Sequence, residues 1–343
     1  MKEIRFLKLM HALVYTGTQK IDYRKEKDPT PKAGEAIIKV QASGICGSDM
    51  HAYHGQDERR IPPLILGHEF SGKVLEGKLK DKSVVVNPLI SCEKCNYCKT
   101  GREHLCPERT MIGMSTPIKR EGGLAELVSA PEKNIFEISK KLNIKEAALA
   151  EPTAVALHAI LLAESNLKKP LSDCKILIQG AGAIGLLCGL ILNKEKNSKN
   201  IIMSDPNKKR LNECGKYLTA SFVSPEDKSI KDNNFDLVLE SVGLGITRQQ
   251  AIKAIAPGGT IVHIGLTHPT GDFNFKKLTI QEITLVGTYC YTNNDFKNTL
   301  DILTNKKLGD LGWIDYRDLK KGSEAFEEIH NGTCVAPKII LTP

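Results

Sequence analysis

The sequence predicts an α/β protein of two domains, one β-rich and one doubly wound around a parallel sheet. Three observations carry this. The chain has 343 residues, enough for two cores of ordinary domain size. Its first third holds short β-rich runs broken by turn residues. From Cys174 onward strands alternate with helices, and that alternation closes into a parallel sheet covered by helices.

In the first third, residues 12–15, 36–40 and 83–86 are β-rich, and proline and glycine at 29–34 separate the first two runs. In the second part, strands are expected at 175–179, 200–204, 236–240 and 260–264, with helices at 184–194, 207–217 and 246–256. Residues 143–158, which include Glu151-Pro152, form the entry into the second domain. No internal repeat or low-complexity linker interrupts the chain.

Composition is that of an ordinary soluble protein. The formal charge of +8 is spread over short lysine runs, such as Lys168-Lys169 and Lys320-Lys321, interleaved with acids. This reads as solvated faces, with no nucleic acid as partner. The apolar stretch 176–192 contains Gly180, Gly182, Gly185 and Gly189, which fit a strand, a tight turn and a buried helix better than a membrane span of about 20 apolar residues. No transmembrane helix is expected, and residues 1–9 lack the features of a signal peptide. Five cysteines (Cys174, Cys188, Cys214, Cys290, Cys334) stand singly without framework spacing. They read as reduced thiols and point to the cytoplasm.

The other five cysteines carry chemistry. Cys92, Cys95, Cys98 and Cys106 follow a Cys-x2-Cys-x2-Cys-x7-Cys spacing, which lets one loop wrap four thiolates around a tetrahedral Zn2+ and fill every position, so this site is structural. Upstream, Cys46 and the triplet Gly67-His68-Glu69 offer one sulfur, one imidazole and one carboxylate. An incomplete set of that kind leaves a position for water or substrate, so this site is catalytic. Taken singly, Cys46 and His68 read as readily as core residues.

Gly180-Ala181-Gly182-Ala183-Ile184-Gly185 follows an expected strand and opens an expected helix, the context a Gly-x-Gly-x-x-Gly motif needs. Gly180 permits the turn, Gly182 lets the backbone approach a pyrophosphate, Gly185 allows close packing, and the helix N-terminus attracts the phosphate. Asp205 ends the second strand. A carboxylate there accepts ribose hydroxyls and repels a 2′-phosphate, favouring NAD over NADP, although Lys208, Lys209 and Arg210 beside it could hold an extra phosphate.

These motifs, with Gly44-Ile45-Cys46-Gly47-Ser48-Asp49, the Glu121-Gly122-Gly123 turn and Glu151-Pro152, resemble the zinc-dependent medium-chain dehydrogenase/reductase (alcohol dehydrogenase) family over nearly the whole chain. The polyol, butanediol and threonine dehydrogenase branch is the most similar, because Glu151 stands where that branch places a further zinc-site carboxylate. The resemblance implies a GroES-like catalytic domain from residues 1–151 and 291–343, and a Rossmann domain from 152–290 that binds NAD, with Ile184 in its phosphate loop. It places the active site in the cleft between them. It implies that Cys46, His68, Glu69 and Glu151 surround the catalytic zinc, with Glu151 a direct or water-bridged ligand and Asp49 orienting His68. The zinc would lower the pKa of a substrate hydroxyl. Ser48 would pass the alcohol proton through the cofactor ribose toward His51, and Tyr53 would touch the substrate. On their own, Ser48 and His51 read as turn-capping and surface residues, and Tyr53 as a packing aromatic.

The chain departs from the pattern in three places. Cys290, before Tyr291, stands where polyol dehydrogenases carry an arginine, which argues against sorbitol and leaves smaller diols, other sugar alcohols or amino alcohols. Residues 72–84 read as a trimmed surface hairpin. Residues 1–9 read as an extension without chemistry. The resulting expectation is a homodimer or homotetramer that transfers a hydride between a secondary alcohol and NAD. The alternatives are a zinc-free quinone or enoyl reductase on the same fold, or a non-catalytic zinc and nucleotide-binding protein whose cysteine lobe binds nucleic acid or protein.

Overall fold

The structure is a computed structural model and describes residues 9–343. Residues 1–8 of the expected extension lie outside it, whereas Leu9 begins the first strand and pairs with Lys27. In chain order the elements of the first part are β1 (Leu9–Gly17), β2 (Lys20–Lys27), β3 (Glu35–Gly44), α1 (Gly47–Tyr53), β4 (Leu64–Ile65), β5 (Glu69–Glu76), β6 (Ser83–Val86), β7 (Leu89–Ile90), α2 (Asn96–Lys99), β8 (Thr110–Met111), β9 (Leu127–Pro131) and β10 (Ile135–Glu137). Then come α3 (Ala150–Asn166), β11 (Ile176–Gln179), α4 (Ala183–Lys194), β12 (Ile201–Ser204), α5 (Lys208–Cys214), β13 (Ser221–Val223), β14 (Phe235–Glu240), α6 (Gly245–Ala254), β15 (Ile255–His263), α7 (Phe275–Ile280), β16 (Thr284–Gly287) and α8 (Asn293–Thr304). The chain closes with β17 (Ile314–Asp318), α9 (Gly322–His330) and β18 (Lys338–Thr342).

Two compact units result. The first gathers Met1–Glu151, Ile314–Cys334 and Lys338–Pro343, and the second Pro152–Trp313 and Val335–Pro337. The sequence reading starts the C-terminal return at residue 291, but 291–313 groups with the second unit. A buried contact holds it there: Asp295 of α8 bonds His158 of α3 at 2.8 Å.

The first unit is built on a sheet of order β10-β6-β5-β3-β18-β17, with β9 also paired to β3, and a smaller sheet β2-β1-β4. Alternate residues of its strands point inward, so Ile38 and Val40 of β3, Phe70 and Val74 of β5, and Val84 and Val86 of β6 form one apolar cluster. The expected short connection is a hairpin of β5 and β6, with Ser71 opposite Val85.

The second unit holds six parallel strands in the order β13-β12-β11-β14-β15-β16. In this order the strand sequence runs outward in opposite directions from β11 and β14, and doubly wound sheets bind ligands at the strand ends of such a switch point. Strands buried on both faces read as continuous apolar runs, and Ile176–Gln179 is buried throughout. The apolar stretch 176–192 is therefore β11 and most of α4. By length and composition one helix, Glu146–Asn166, could cross a membrane, yet 72% of its apolar window is buried within the fold, as expected for a core helix.

Candidate active site and dinucleotide cradle

Strand register assembles the first cluster. Gly44 at the end of β3 faces Glu69 at the start of β5, which brings Cys46, two residues past β3, beside His68 and Glu69. One ligand atom from each of Cys46, His68 and Glu69 lies within 4.8 Å of the others. His68 and Glu69 are buried, and Cys46 is half-buried.

The surroundings favour a cation. Glu69 Oε1 is buried and has no hydrogen-bond partner, a costly state for a carboxylate unless something positive meets it. Burial opposes charge on the His68 ring, but Asp49 and Cys46 outweigh it and raise its pKa well above the usual value. Sulfur, imidazole and carboxylate together suit Zn2+, so these residues fit the metal.

Asp49 organises the set. Its Oδ2 accepts the Cys46 N–H at 3.0 Å, and its Oδ1 is 3.5 Å from His68 Nδ1. That leaves Nε2 as the metal-facing nitrogen. Burial works against the Asp49 carboxylate, yet His68, Arg60 and the Cys46 amide hold its pKa at about 2. Ser48 Oγ lies 3.4 Å from His68 Nε2.

Two residues that the sequence reading passed over also belong here. Lys338 of β18 is buried; its ammonium pairs with Glu69 Oε2 and donates to the Ile45 carbonyl at 2.9 Å. Burial disfavours this ammonium, but Glu69, Cys46 and Glu151 raise its pKa. Arg60 is buried between Asp49 and Asp57. Lys338 lies 293 positions from Ile45, and Arg60, although close in sequence to Asp57 and Ser48, stands among ordinary charged residues, so neither carries a motif that could reveal it without the fold.

Glu151 is buried in the first turn of α3 and is not one of the three residues in the 4.8 Å cluster. His51 is half-buried on α1; burial lowers its pKa, and the nearby Arg60 adds to that against the opposing charge of Asp57. Tyr53 is buried against Phe326 at 5.5 Å and His330 at 5.9 Å, which is a packing role.

In the lobe after β7, the thiols of Cys92, Cys95, Cys98 and Cys106 all lie within 4.8 Å of one another. The Cys95 and Cys98 sulfurs are 3.5 Å apart, and the Cys92 amide donates to Cys106 Sγ at 3.4 Å. Amides of Lys94 and Cys95 lower the Cys92 thiol to about 7, whereas burial raises Cys98 to about 11 and also raises Cys106, so the support for metal here is the convergence of the four sulfurs.

In the second unit the glycine loop joins β11 to α4. Gly180 has φ +98°, a conformation that glycine adopts without strain. A Cβ on Gly185 would collide with the Gly180 carbonyl, whereas one on Gly182 would meet nothing within 4 Å. The loop is therefore tight where it packs and open where a pyrophosphate would approach. Ile184 lies in the first turn of α4, whose N-terminal amides favour an anion. Asp205, buried after β12, accepts the Ala181 amide at 2.8 Å through Oδ2 and the Asn207 amide at 2.8 Å through Oδ1. Lys208 and Lys209 are exposed on α5.

A family model described as the alcohol dehydrogenase GroES-like domain matches residues 32–140, and one described as zinc-binding dehydrogenase matches 183–305. The chain is 34% identical to an L-threonine 3-dehydrogenase of Pyrococcus horikoshii, over 89% of this chain and 90% of that one. It is 28% identical to a sorbitol dehydrogenase of Halalkalibacterium halodurans, over 97% and 99%. Among solved structures, a zinc-binding dehydrogenase from Sinorhizobium meliloti bound to NADP superposes with a TM-score of 0.83 at 25% identity, covering 98% and 100% of the two chains.

Proposed function

Because the chain belongs to the zinc-type medium-chain alcohol dehydrogenase family, we propose that it transfers a hydride between a secondary alcohol of the polyol, diol or amino-alcohol class and NAD. The observation that carries this reading is the Cys46, His68 and Glu69 cluster, with the Ser48 hydroxyl beside the metal-facing nitrogen of His68. A Zn2+ held there supplies Lewis acidity, which lowers the pKa of a substrate hydroxyl toward neutrality. The chain's own residues do the rest. Asp49 fixes the imidazole, Ser48 takes the hydroxyl proton, and His51 is the group nearest to solvent along the proton's exit. Glu151 acts on the same centre, directly or through water. The intact donor set argues against the zinc-free reductase alternative.

NAD is favoured because Asp205 stands where a 2′-phosphate would sit, although the Sinorhizobium structure holds NADP. The five cysteines outside the two clusters, Cys174, Cys188, Cys214, Cys290 and Cys334, form no disulfide, which supports a reducing compartment, the cytoplasm. Assembly into a homodimer or homotetramer is supported by β16, an edge strand whose Leu285 is exposed; open apolar edges of this kind invite pairing.

The test is initial-rate formation of reduced cofactor by the zinc-loaded protein. NAD and NADP are each supplied with polyols, diols, L-threonine and simple alcohols. A rate that vanishes on zinc removal supports the reading and names the substrate class. No rate with any of these, in protein shown to bind zinc and NAD, would overturn it for these classes of alcohol.

A further inference from the structure

Among the described residues of the first unit Arg60 is, like Lys338, a buried cation, with its side chain wholly out of solvent. Its Nη1 bonds Asp57 Oδ2, its Nε lies 4.0 Å from Asp49 Oδ1, and its Nη2 donates to Ser48 Oγ at 3.2 Å. These contacts close a ring. Ser48 meets His68 Nε2 at 3.4 Å, His68 Nδ1 meets Asp49 at 3.5 Å, and Asp49 leads back through Arg60 to Ser48. Taking a guanidinium out of water is costly unless its donors are used. Asp57 accepts from Nη1, and the Asp49 carboxylate faces Nε at ion-pair distance without a hydrogen bond. The third nitrogen, Nη2, is spent on a serine hydroxyl, which carries no charge to neutralise.

We propose that Arg60 is a positioning residue for the proton path, setting the direction in which Ser48 passes the proton. The proposal rests on the reading of Ser48 as the proton-carrying hydroxyl. A guanidinium can only donate, and a hydroxyl has one O–H and two acceptor sites. With Nη2 on one acceptor site, the Ser48 O–H cannot point toward Arg60. When a metal takes His68 Nε2, that nitrogen can no longer accept the O–H either. One acceptor site is left to receive the substrate proton, and the O–H is left to deliver onward. In oxidation, the C–H of the alcohol leaves as hydride to NAD. The O–H proton of the alcohol passes to Ser48 Oγ as Ser48's own proton leaves for the next acceptor. The sum is secondary alcohol plus NAD+ giving ketone, NADH and one proton to solvent.

A double-mutant cycle on the zinc-loaded enzyme tests this, using Ser48→Ala, Arg60→Met and the pair, with kcat, the solvent deuterium isotope effect, zinc content and unfolding midpoint as readouts. Loss of a positioned proton path costs on the order of tenfold or more in kcat. Arg60→Met is expected to show such a loss with zinc retained and a raised solvent isotope effect. In the Ser48→Ala background the same change should alter kcat by less than about twofold, because residues acting as one unit are not additive. Equal factors in the two backgrounds would overturn the proposal and leave Arg60 as a charge-neutralising core residue. An unchanged kcat in Ser48→Ala alone would instead remove the proton-carrying role of Ser48, and the proposal with it. Should Arg60→Met lose zinc or fail to fold, Arg60→Lys replaces it in the cycle. It keeps the charge but not the fork that serves Ser48 and Asp57 together, and the same two outcomes decide.

Discussion

Lys338 shows how one side chain can make a cluster of anions tolerable. Its ammonium meets Glu69 in the buried interior, where breaking an ion pair by removing one partner costs about 3–5 kcal/mol. Lys338→Met should therefore destabilise the metal-free protein by about that amount, read by urea unfolding. The loss should shrink when zinc is bound, since the ion then neutralises the same carboxylate. Asp57 offers a pH signature. Burial works against its carboxylate, but Arg59 and Arg60 hold the pKa at about 2. A carboxyl with a depressed folded pKa stabilises above its unfolded value, near 3.8, and the contribution is lost as pH falls toward about 2. The stability difference between the parent and Asp57→Asn should accordingly be full at pH 5 and diminished at pH 3. Asp205→Ala is expected to lower the ratio of kcat/KM for NAD over NADP by roughly tenfold, about 1.4 kcal/mol. A parent that already prefers NADP would contradict the role given to this acid. The structure gathers Cys46 with His68 and Glu69, and the four lobe cysteines with one another; the lobe was legible through its tight spacing, and the partnership of Cys46 with the distant His68 through the family resemblance. Lys338 and Arg60 were not, because they act through pairings that only the fold creates.

The glycine loop and the cysteine lobe are elements whose local sequence dictates their shape. The loop was legible because its glycines sit between an apolar run and a helical one, and the backbone leaves no room for a Cβ on Gly185. The lobe contains only short pieces such as the four-residue α2, too little for a core of its own, so a bound metal is its natural source of stability. Cys98→Ala should lower unfolding free energy by at least about 2 kcal/mol and release one zinc, and an unaltered midpoint with full zinc content would count against that role. Other elements were hidden. β2 reads Lys-Ile-Asp-Tyr-Arg-Lys-Glu-Lys, with Ile21 its one buried side chain, so apolar alternation is nearly absent. The helix expected at 246–256 ends at Ala254 because Ile255 already turns into β15 and pairs with Phe235. The helix expected at 207–217 stops at Cys214 before Gly215.

At the scale of the whole molecule, the alternation of strands and helices from Cys174 onward corresponds to a six-stranded parallel sheet, and the early β-runs to two further sheets in which those runs pair antiparallel with their neighbours. That the first unit takes in both ends of the chain was expected from the family resemblance alone, with its return set at residue 291, because no local pattern in the sequence carries it; the return to this unit begins at Ile314. The joining of the two ends depends on hydrogen bonds of β18 to β3, with Ile340 opposite Gly44, between runs that look unrelated. The exposed edge at β16 leads to a prediction for the assembly. Leu285→Asp should convert the protein to monomers in sedimentation, and an unchanged mass would place the contact elsewhere.

The pairing of β18 with β3 also bears on how the protein is made. Lys338 reaches the Ile45 carbonyl across 293 positions of chain, and β18 lies between β3 and β17 in the sheet. During synthesis the second unit, nearly continuous in sequence, has all it needs before the last strand leaves the ribosome, and domains that emerge complete fold as units. The Cys46 and Glu69 cluster, although encoded in the first seventy residues, would be the last to mature. Until β18 is made, Glu69 lacks its lysine and the sheet lacks an inner strand, so a nascent chain stalled before Lys338 would hold the Cys46, His68 and Glu69 donors on an unfinished sheet.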